Sequence, residues 1–282
     1  MSLLNKIWNK SPKEIFQAFK GKFKAFKGEI VASITKPKWT EVKSGPLKGG
    51  QLFLAADLFE VWNEMISGRF DSFIYDEIER CCNIVGAVCW DIGAHFGYHS
   101  FSFASLVGEN GRVYAFEPNP FNVARFKMHL EKNKIQAKRI SLNTFAISDV
   151  DGETTFVFSN DVDGRRSSGS YLQNVNPPLE AGLYNTFKTQ TVNTLTIDSF
   201  INTPGARIPD IIKIDVEGAE LLVLRGGKEF FKNHKPIIFM EVHNILMMFY
   251  VHKFLLKHGY SVQILNENNS TPSRCFIMAQ SV

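Results

Sequence analysis

The chain has 282 residues, 44% hydrophobic and 21% charged, with a formal net charge of +4. That length buries a sizeable core, and the composition excludes a disordered or fibrous protein. The four cysteines, Cys81, Cys82, Cys89 and Cys275, show no Cys-x-x-Cys or Cys/His ligand spacing, which points to reduced thiols and a cytoplasmic protein.

The charge is uneven. Residues 1–48 hold eleven lysines and no arginine against Glu14, Glu29 and Glu41, a balance of +8, so the remainder carries −4. Between Lys13 and Lys27 the apolar residues Ile15, Phe16, Phe19, Phe23 and Phe26 recur at helical spacing, and Ala-Phe-Lys-Gly occurs at both 18–21 and 25–28. This is the pattern of an amphipathic helix that lies on an anionic membrane surface through residues 1–30, at the inner face of the membrane. The alternative is a Phe stripe that packs on the body with its lysines in water. Nucleic acid is not expected as a partner, because there is no arginine to read bases. No apolar run is long enough to span a bilayer, and no signal peptide with a cleavage site is evident.

Turn-rich segments at 35–38 and 45–50 hand the basic arm (1–48) over to an N-terminal extension (49–85). A regular body follows over 86–282. Its expected elements are a strand at 88–92, a helix at 98–107, a strand at 112–117 and a helix capped by Asn119 with Pro120 at its first position. Next come a strand over 140–147 and a hairpin-like insertion at about 153–196. After it the pattern gives a strand at 210–215, a helix over 218–230, a strand at 236–242, a helix at 245–258 and closing strands at 260–265 and 274–280. Alternating strands and helices with a terminal pair of strands predict an α/β, doubly wound, mostly parallel sheet with an antiparallel edge strand.

Two constellations carry chemistry. The first is Asp91-Ile-Gly-Ala-His-Phe-Gly97 with Glu117 at the end of the next strand. An acid at each strand end and a glycine turn into a helix describe a nucleoside site at the carboxyl edge of the sheet. A pyrophosphate needs bare N–H groups and no neighbouring carboxylate. Asp91 before the first glycine therefore suits a cationic ligand such as S-adenosylmethionine, and the absence of Gly-x-Gly-x-x-Gly disfavours a dehydrogenase-like binder. The second constellation is Ile212-Lys-Ile-Asp-Val-Glu-Gly-Ala-Glu220 with Glu241-Val-His243. Charges inside core strands must be paired or functional. A Lys213–Glu241 ion pair would leave Asp215, Glu217 and His243 at the tips.

The ordered motifs at 91–97, 116–120, 146–149, 194–198, 212–220 and 241–243 resemble those of the FkbM methyltransferase family over roughly residues 45–280. The resemblance implies a class I (Rossmann-like) methyltransferase fold. It also implies S-adenosylmethionine-dependent O-methylation of a small-molecule or glycan acceptor. One departure is His95, where such motifs usually carry Asn. On this reading the cofactor-binding residues are Asp91 at the methionine amino end, Gly93, Ala94 and Gly97 in the turn, Glu117 at the ribose hydroxyls and Asp149 near the adenine. His243 is the expected base, Asp215 orients substrate or base, and Glu217 and Glu241 complete the catalytic group. The less favoured alternative is Mg2+ on Asp215, Glu217 and Glu241. A second functional alternative is a non-catalytic cofactor-binding module that uses its arm as a membrane adaptor.

Overall fold

The computed structural model describes residues 36–55, 60–159, 170–173, 175, 187–265 and 274–282. The membrane-surface helix expected within residues 1–30 lies outside them. Strands β1 (Lys38–Glu41) and β2 (Gln51–Leu54) form an antiparallel pair, followed by helices α1 (Glu60–Ser67) and α2 (Ser72–Cys81). The alternating unit then runs β3 (Val88–Ile92), α3 (Tyr98–Leu106), β4 (Arg112–Phe116), α4 (Pro120–Lys132), the short α5 (Lys134–Ala137) and β5 (Ile140–Asn143). After β6 (Ala146–Ile147), β7 (Gly152–Ser159), β8 (Tyr171–Leu172), β9 (Phe187–Leu195) and α6 (Ile197–Phe200), the alternation resumes with β10 (Ile211–Ile214), α7 (Glu220–Gly226), α8 (Lys228–Asn233), β11 (Ile237–Val242) and α9 (Ile245–Lys257). The chain closes with β12 (Tyr260–Leu265) and β13 (Cys275–Ser281).

Seven strands form the main sheet in the order β12-β13-β11-β10-β3-β4-β5, with only β13 antiparallel to its neighbours. This is the class I methyltransferase arrangement, with the antiparallel strand inserted next to the edge. Central strands covered on both faces are mostly apolar, and every residue of β3 and β10 is buried, including the charged Asp91 and Lys213. Side chains alternate between faces. Cys89, Val113, Ala115, Ile211 and Phe239 point to one core, and Trp90, Tyr114, Phe116, Ile212 and Ile214 to the other. Val42 just after β1, Leu52 of β2, Trp62 of α1 and Ile78 of α2 join the first core, so the N-terminal extension packs as part of it.

Two expected elements divide. The 140–147 strand becomes β5 in the main sheet and β6 in a separate four-stranded sheet, ordered β6-β9-β7-β8. The 218–230 helix breaks at Gly226–Gly227. A Cβ on Gly226 would stand 1.9 Å from the Ser148 carbonyl, so the glycine marks where α7 presses on the turn after β6. The second sheet packs through Phe156, Phe158 and Leu172 on Ala219, with Phe121 and Leu222 against the same cluster. Those residues lie at the starts of α4 and α7, which puts the second sheet beside the strand tips. Among the described residues no helix is long and apolar enough to cross a membrane.

Trp90 anchors the second core, with its ring 5.1 Å from Phe200, 5.5 Å from Phe116 and 6.0 Å from Phe230, and its indole N–H donating to the Arg207 carbonyl at 3.2 Å. Trp90→Ala should destabilise the protein by about 3–5 kcal/mol. Urea denaturation checks this, and a loss under about 1 kcal/mol would contradict the packing described.

Candidate functional site

The carboxyl ends of β3, β4, β10 and β11 bring the two sequence constellations together. Register decides which side chains meet. Lys213 lies opposite Asp91 on β3 and opposite Phe239 on β11, with Glu241 two residues further along. Lys213 accordingly pairs with Asp91 at 3.7 Å and Asp215 at 3.2 Å, and the expected Lys213–Glu241 pair gives way to an Arg274–Glu241 contact at 3.3 Å. Lys213 is only 3% exposed. Burial alone would lower its pKa, but the two carboxylates outweigh that and hold it above its ordinary value. In the same exchange the Asp215 carboxyl, despite burial, is lowered by Lys213 and His243.

At the end of β3, Gly93 and Ala94 both donate their backbone N–H to the Phe116 carbonyl at 3.0 Å. A Cβ on Gly93, which has φ 82°, would stand 1.8 Å from the Asp215 carbonyl; one on Gly97 would meet the Phe126 and Phe101 rings at 2.8 and 2.9 Å. These glycines are therefore required by close approach to the protein's own chain. His95 has φ 54°. This left-handed region is one that Asn and His enter more readily than most residues. His95 is therefore suited to this turn, and its N–H donates to Glu117 at 2.8 Å. Burial and nearby Arg125 lower the His95 ring pKa to about 3, so the ring is neutral.

Glu117 also accepts from the Asn119 N–H at 2.8 Å and the Asn122 side-chain amide at 3.3 Å. Burial nevertheless raises it to about 7 against those three donors. Asn119 caps α4 by accepting from the Phe121 N–H at 3.0 Å, with Pro120 at the first helical position, as read from sequence. Asp91 is fully buried; Ser100 donates to one carboxylate oxygen, while Oδ1 has no hydrogen-bond donor among the described residues. Asp149 is half-buried after β6, with Ser148 Oγ at 3.3 Å.

On the other side, His243 Nδ1 lies 2.7 Å from Glu220 Oε1, which also accepts the Gly218 N–H at 2.9 Å. His243 Nε2 faces Glu217 at 3.3 Å, Asp215 at 3.7 Å and Glu241 at 3.8 Å. Burial would lower the pKa of His243, but the bond to Glu220 and the charges of Glu217, Glu220 and Glu241 raise it well above the usual range. Burial, reinforced by Asp215, raises Glu241 to about 8 against His243 and Arg274. Glu217 holds a left-handed φ of 52° before Gly218, the conformation that turns its carboxylate back toward His243.

Several participants escaped the sequence reading. Glu220 read as an acid in the first turn of a helix, yet it is fully buried behind His243. Arg274 reaches Glu241 only because β13 returns beside β11. Asp71, with φ 47°, lies 3.2 Å from His99 Nε2, and the Tyr75 hydroxyl lies 2.7 Å from His99 Nδ1. The one available signal was Glu220's place at the end of the most specific motif.

The family model described as the methyltransferase FkbM domain matches residues 91–262. A hexuronic acid methyltransferase of Haloferax volcanii is 25% identical over 73% of this chain and 79% of its own length. A 2-O-methyltransferase of Sinorhizobium fredii is 33% identical over 50% of this chain and 58% of its own. A solved FkbM methyltransferase from Methylobacillus flagellatus superposes with TM-score 0.48 and 17% identity, over 79% of this chain and 54% of that one. The matched span takes in more than half of the chain, which belongs to the FkbM family of methyltransferases.

Proposed function

We propose that the protein transfers the methyl group of S-adenosylmethionine to a hydroxyl of a sugar or glycan, in the cytoplasm and at the surface of an anionic membrane. The observation that carries this is the buried bridge Asp91–Lys213–Asp215, which joins the nucleoside side of the tips to the acid and histidine side. The names of the two relatives, one for a hexuronic acid and one for 2-O-methylation, support a sugar hydroxyl as acceptor.

The residues fit the cofactor. Asp91 Oδ1, buried and without a hydrogen-bond donor among the described residues, is an acceptor for the methionine ammonium. Glu117 uses three acceptor positions on N–H groups, and a carboxylate offers about four, so one remains for a ribose hydroxyl. Gly93, Ala94 and Gly97 shape the turn, and Asp149 is assigned to the adenine side. When bound, the cofactor supplies a methyl group on a sulfonium, an activated carbon that needs alignment more than activation. Alignment alone contributes at most about 7–11 kcal/mol.

The acceptor hydroxyl docks among Asp215, Glu217, Glu241 and His243. Its oxygen lone pair forms the O–CH3 bond as the CH3–S bond breaks, the breaking pair passes to sulfur, and the hydroxyl proton goes to a carboxylate. Three carboxylate oxygens already face His243 Nε2, an arrangement that suits a cation on that nitrogen better than a lone pair awaiting a proton. The proton is therefore assigned to Glu217, which sits on the turn leading into α7. Asp215 and Glu241 orient the hydroxyl, and His243 organises the three carboxylates.

Glu217→Gln should lower kcat about 10²–10⁴-fold while leaving the calorimetric Kd for S-adenosylhomocysteine unchanged; wild-type turnover would remove Glu217 as proton acceptor. Glu117 gives a pH signature. With its pKa raised to about 7, it is largely neutral at pH 6 and ionised at pH 8. The ionised form is the stronger acceptor for ribose hydroxyls. Affinity for S-adenosylhomocysteine should rise between pH 6 and pH 8, and Glu117→Gln should flatten the rise; an equally steep rise in that variant refutes the ribose role. The lysine-rich arm supports a membrane partner. Co-sedimentation with anionic liposomes should be lost on deleting residues 1–30, and undiminished binding by the truncated protein excludes the arm.

A further inference from the structure

We infer that Asp215, Glu241 and His243 form a binding site for one divalent transition-metal ion of the Mn2+ kind. The inference rests on the reading of these strand tips as the acceptor side of an O-methyltransferase and gives that side a metal centre.

One ligand atom from each of the three residues falls within 4.8 Å of the other two. His243 Nε2 is 3.7 Å from Asp215 Oδ1 and 3.8 Å from Glu241 Oε1. Both distances exceed a charge-assisted N–H···O bond, which is about 2.7–2.9 Å. They lie close to the spacing of donors that share a metal. Two donors each about 2.1 Å from one ion stand about 3.0–3.4 Å apart in octahedral or tetrahedral geometry.

The residues behind the three ligands are arranged accordingly. Glu220, fully buried, lies 2.7 Å from His243 Nδ1 and is fixed by the Gly218 N–H. A metal-ligating histidine characteristically donates its other N–H to such a carboxylate, which turns the remaining ring nitrogen toward the ion. Lys213 holds Asp215 by Oδ2 and leaves Oδ1 facing His243. Arg274, from the strand beyond, steadies Glu241.

The donor set identifies the ion class. An all-oxygen set of Asp215, Glu217 and Glu241, the less favoured alternative read from sequence, would suit Mg2+. Replacing Glu217 by an imidazole nitrogen shifts the preference toward Mn2+ and its transition-metal neighbours. Glu217 lies outside the three-residue set and keeps its assignment as proton acceptor. A dication beside the acceptor oxygen favours that oxygen's deprotonated form.

The test uses full-length protein stripped with EDTA and returned to chelator-free buffer. Mn2+ is titrated in and free Mn2+ is read by electron paramagnetic resonance, with the thermal shift caused by S-adenosylhomocysteine measured on the same samples. One Mn2+ should bind per chain, more tightly than Mg2+. His243→Gln and Glu241→Gln should each weaken it at least tenfold while the S-adenosylhomocysteine shift persists, which shows the variants are folded. No Mn2+ binding by protein that still responds to S-adenosylhomocysteine overturns the metal site and leaves the methyltransferase reading standing. Unchanged Mn2+ affinity in His243→Gln overturns it as well. Bound Mn2+ without any response to S-adenosylhomocysteine supports the ion site and removes the cofactor reading.

Discussion

The site depends on one buried cation. Lys213 stands on a central strand with neighbours on both sides, and the register of β10 against β3 sets it opposite Asp91. An unpaired ammonium at that depth would cost several kcal/mol. Asp91 and Asp215 remove that cost, and Lys213 in turn makes two carboxylates tolerable at the end of a hydrophobic core. Neither side of the pairing is stable without the other. Because one acid belongs to β3 and the other to the turn after β10, the ion pair also fixes the spacing between the nucleoside side and the acceptor side. Gly93 completes the joint, since only a residue without a Cβ lets the turn after β3 lie against the Asp215 carbonyl.

Around this joint the protein gathers conformations and charges that the rest of the fold avoids. Among the described residues the non-glycine positions with positive φ are Asp71, His95 and Glu217. Each serves the tips: Asp71 contacts His99, His95 donates to Glu117, and Glu217 faces His243. Such conformations cost on the order of 1–3 kcal/mol each and persist where surrounding packing over-determines them. Here that packing is the pair of cores on the two faces of the sheet, with Trp90 fully buried in one and the Phe101–Phe126 contact in the other. Stability is made on the sheet faces and spent at its carboxyl edge.

What could be read from sequence follows from how local each signal is. Strand β3, the capped start of α4 and the two constellations rest on periodicity and short-range chemistry, and they fall where the pattern puts them. The Lys213 pairing did not, because register is a tertiary property. A strand pattern says which face a side chain takes, not which residue stands across from it. Glu220 and Arg274 were missed for the same reason: one is an acid in a helical first turn, the other comes from a distant strand that returns antiparallel. The division of the 140–147 strand came from the neighbouring sheet, where β6 pairs with β9. Asp91 and Glu117 were legible because an acid at the end of an apolar run is unusual in itself.

The pairing of Asp91 has a consequence for the chemistry. In the proposed reaction a full positive charge on sulfur spreads over the reacting atoms and disappears in the product. A bare carboxylate beside the sulfur would stabilise the reactant more than the transition state and would slow the step, since only interactions that strengthen toward the transition state accelerate it. A carboxylate already engaged by Lys213 at Oδ1 and by Ser100 at Oδ2 has much of its field compensated. The same lysine lowers the pKa of Asp215, which keeps a carboxylate charged beside the proposed acceptor position. One cation therefore tempers the negative field on the donor side and preserves it on the acceptor side. That asymmetry is what a methyl transfer from a cation to an alcohol requires of its surroundings.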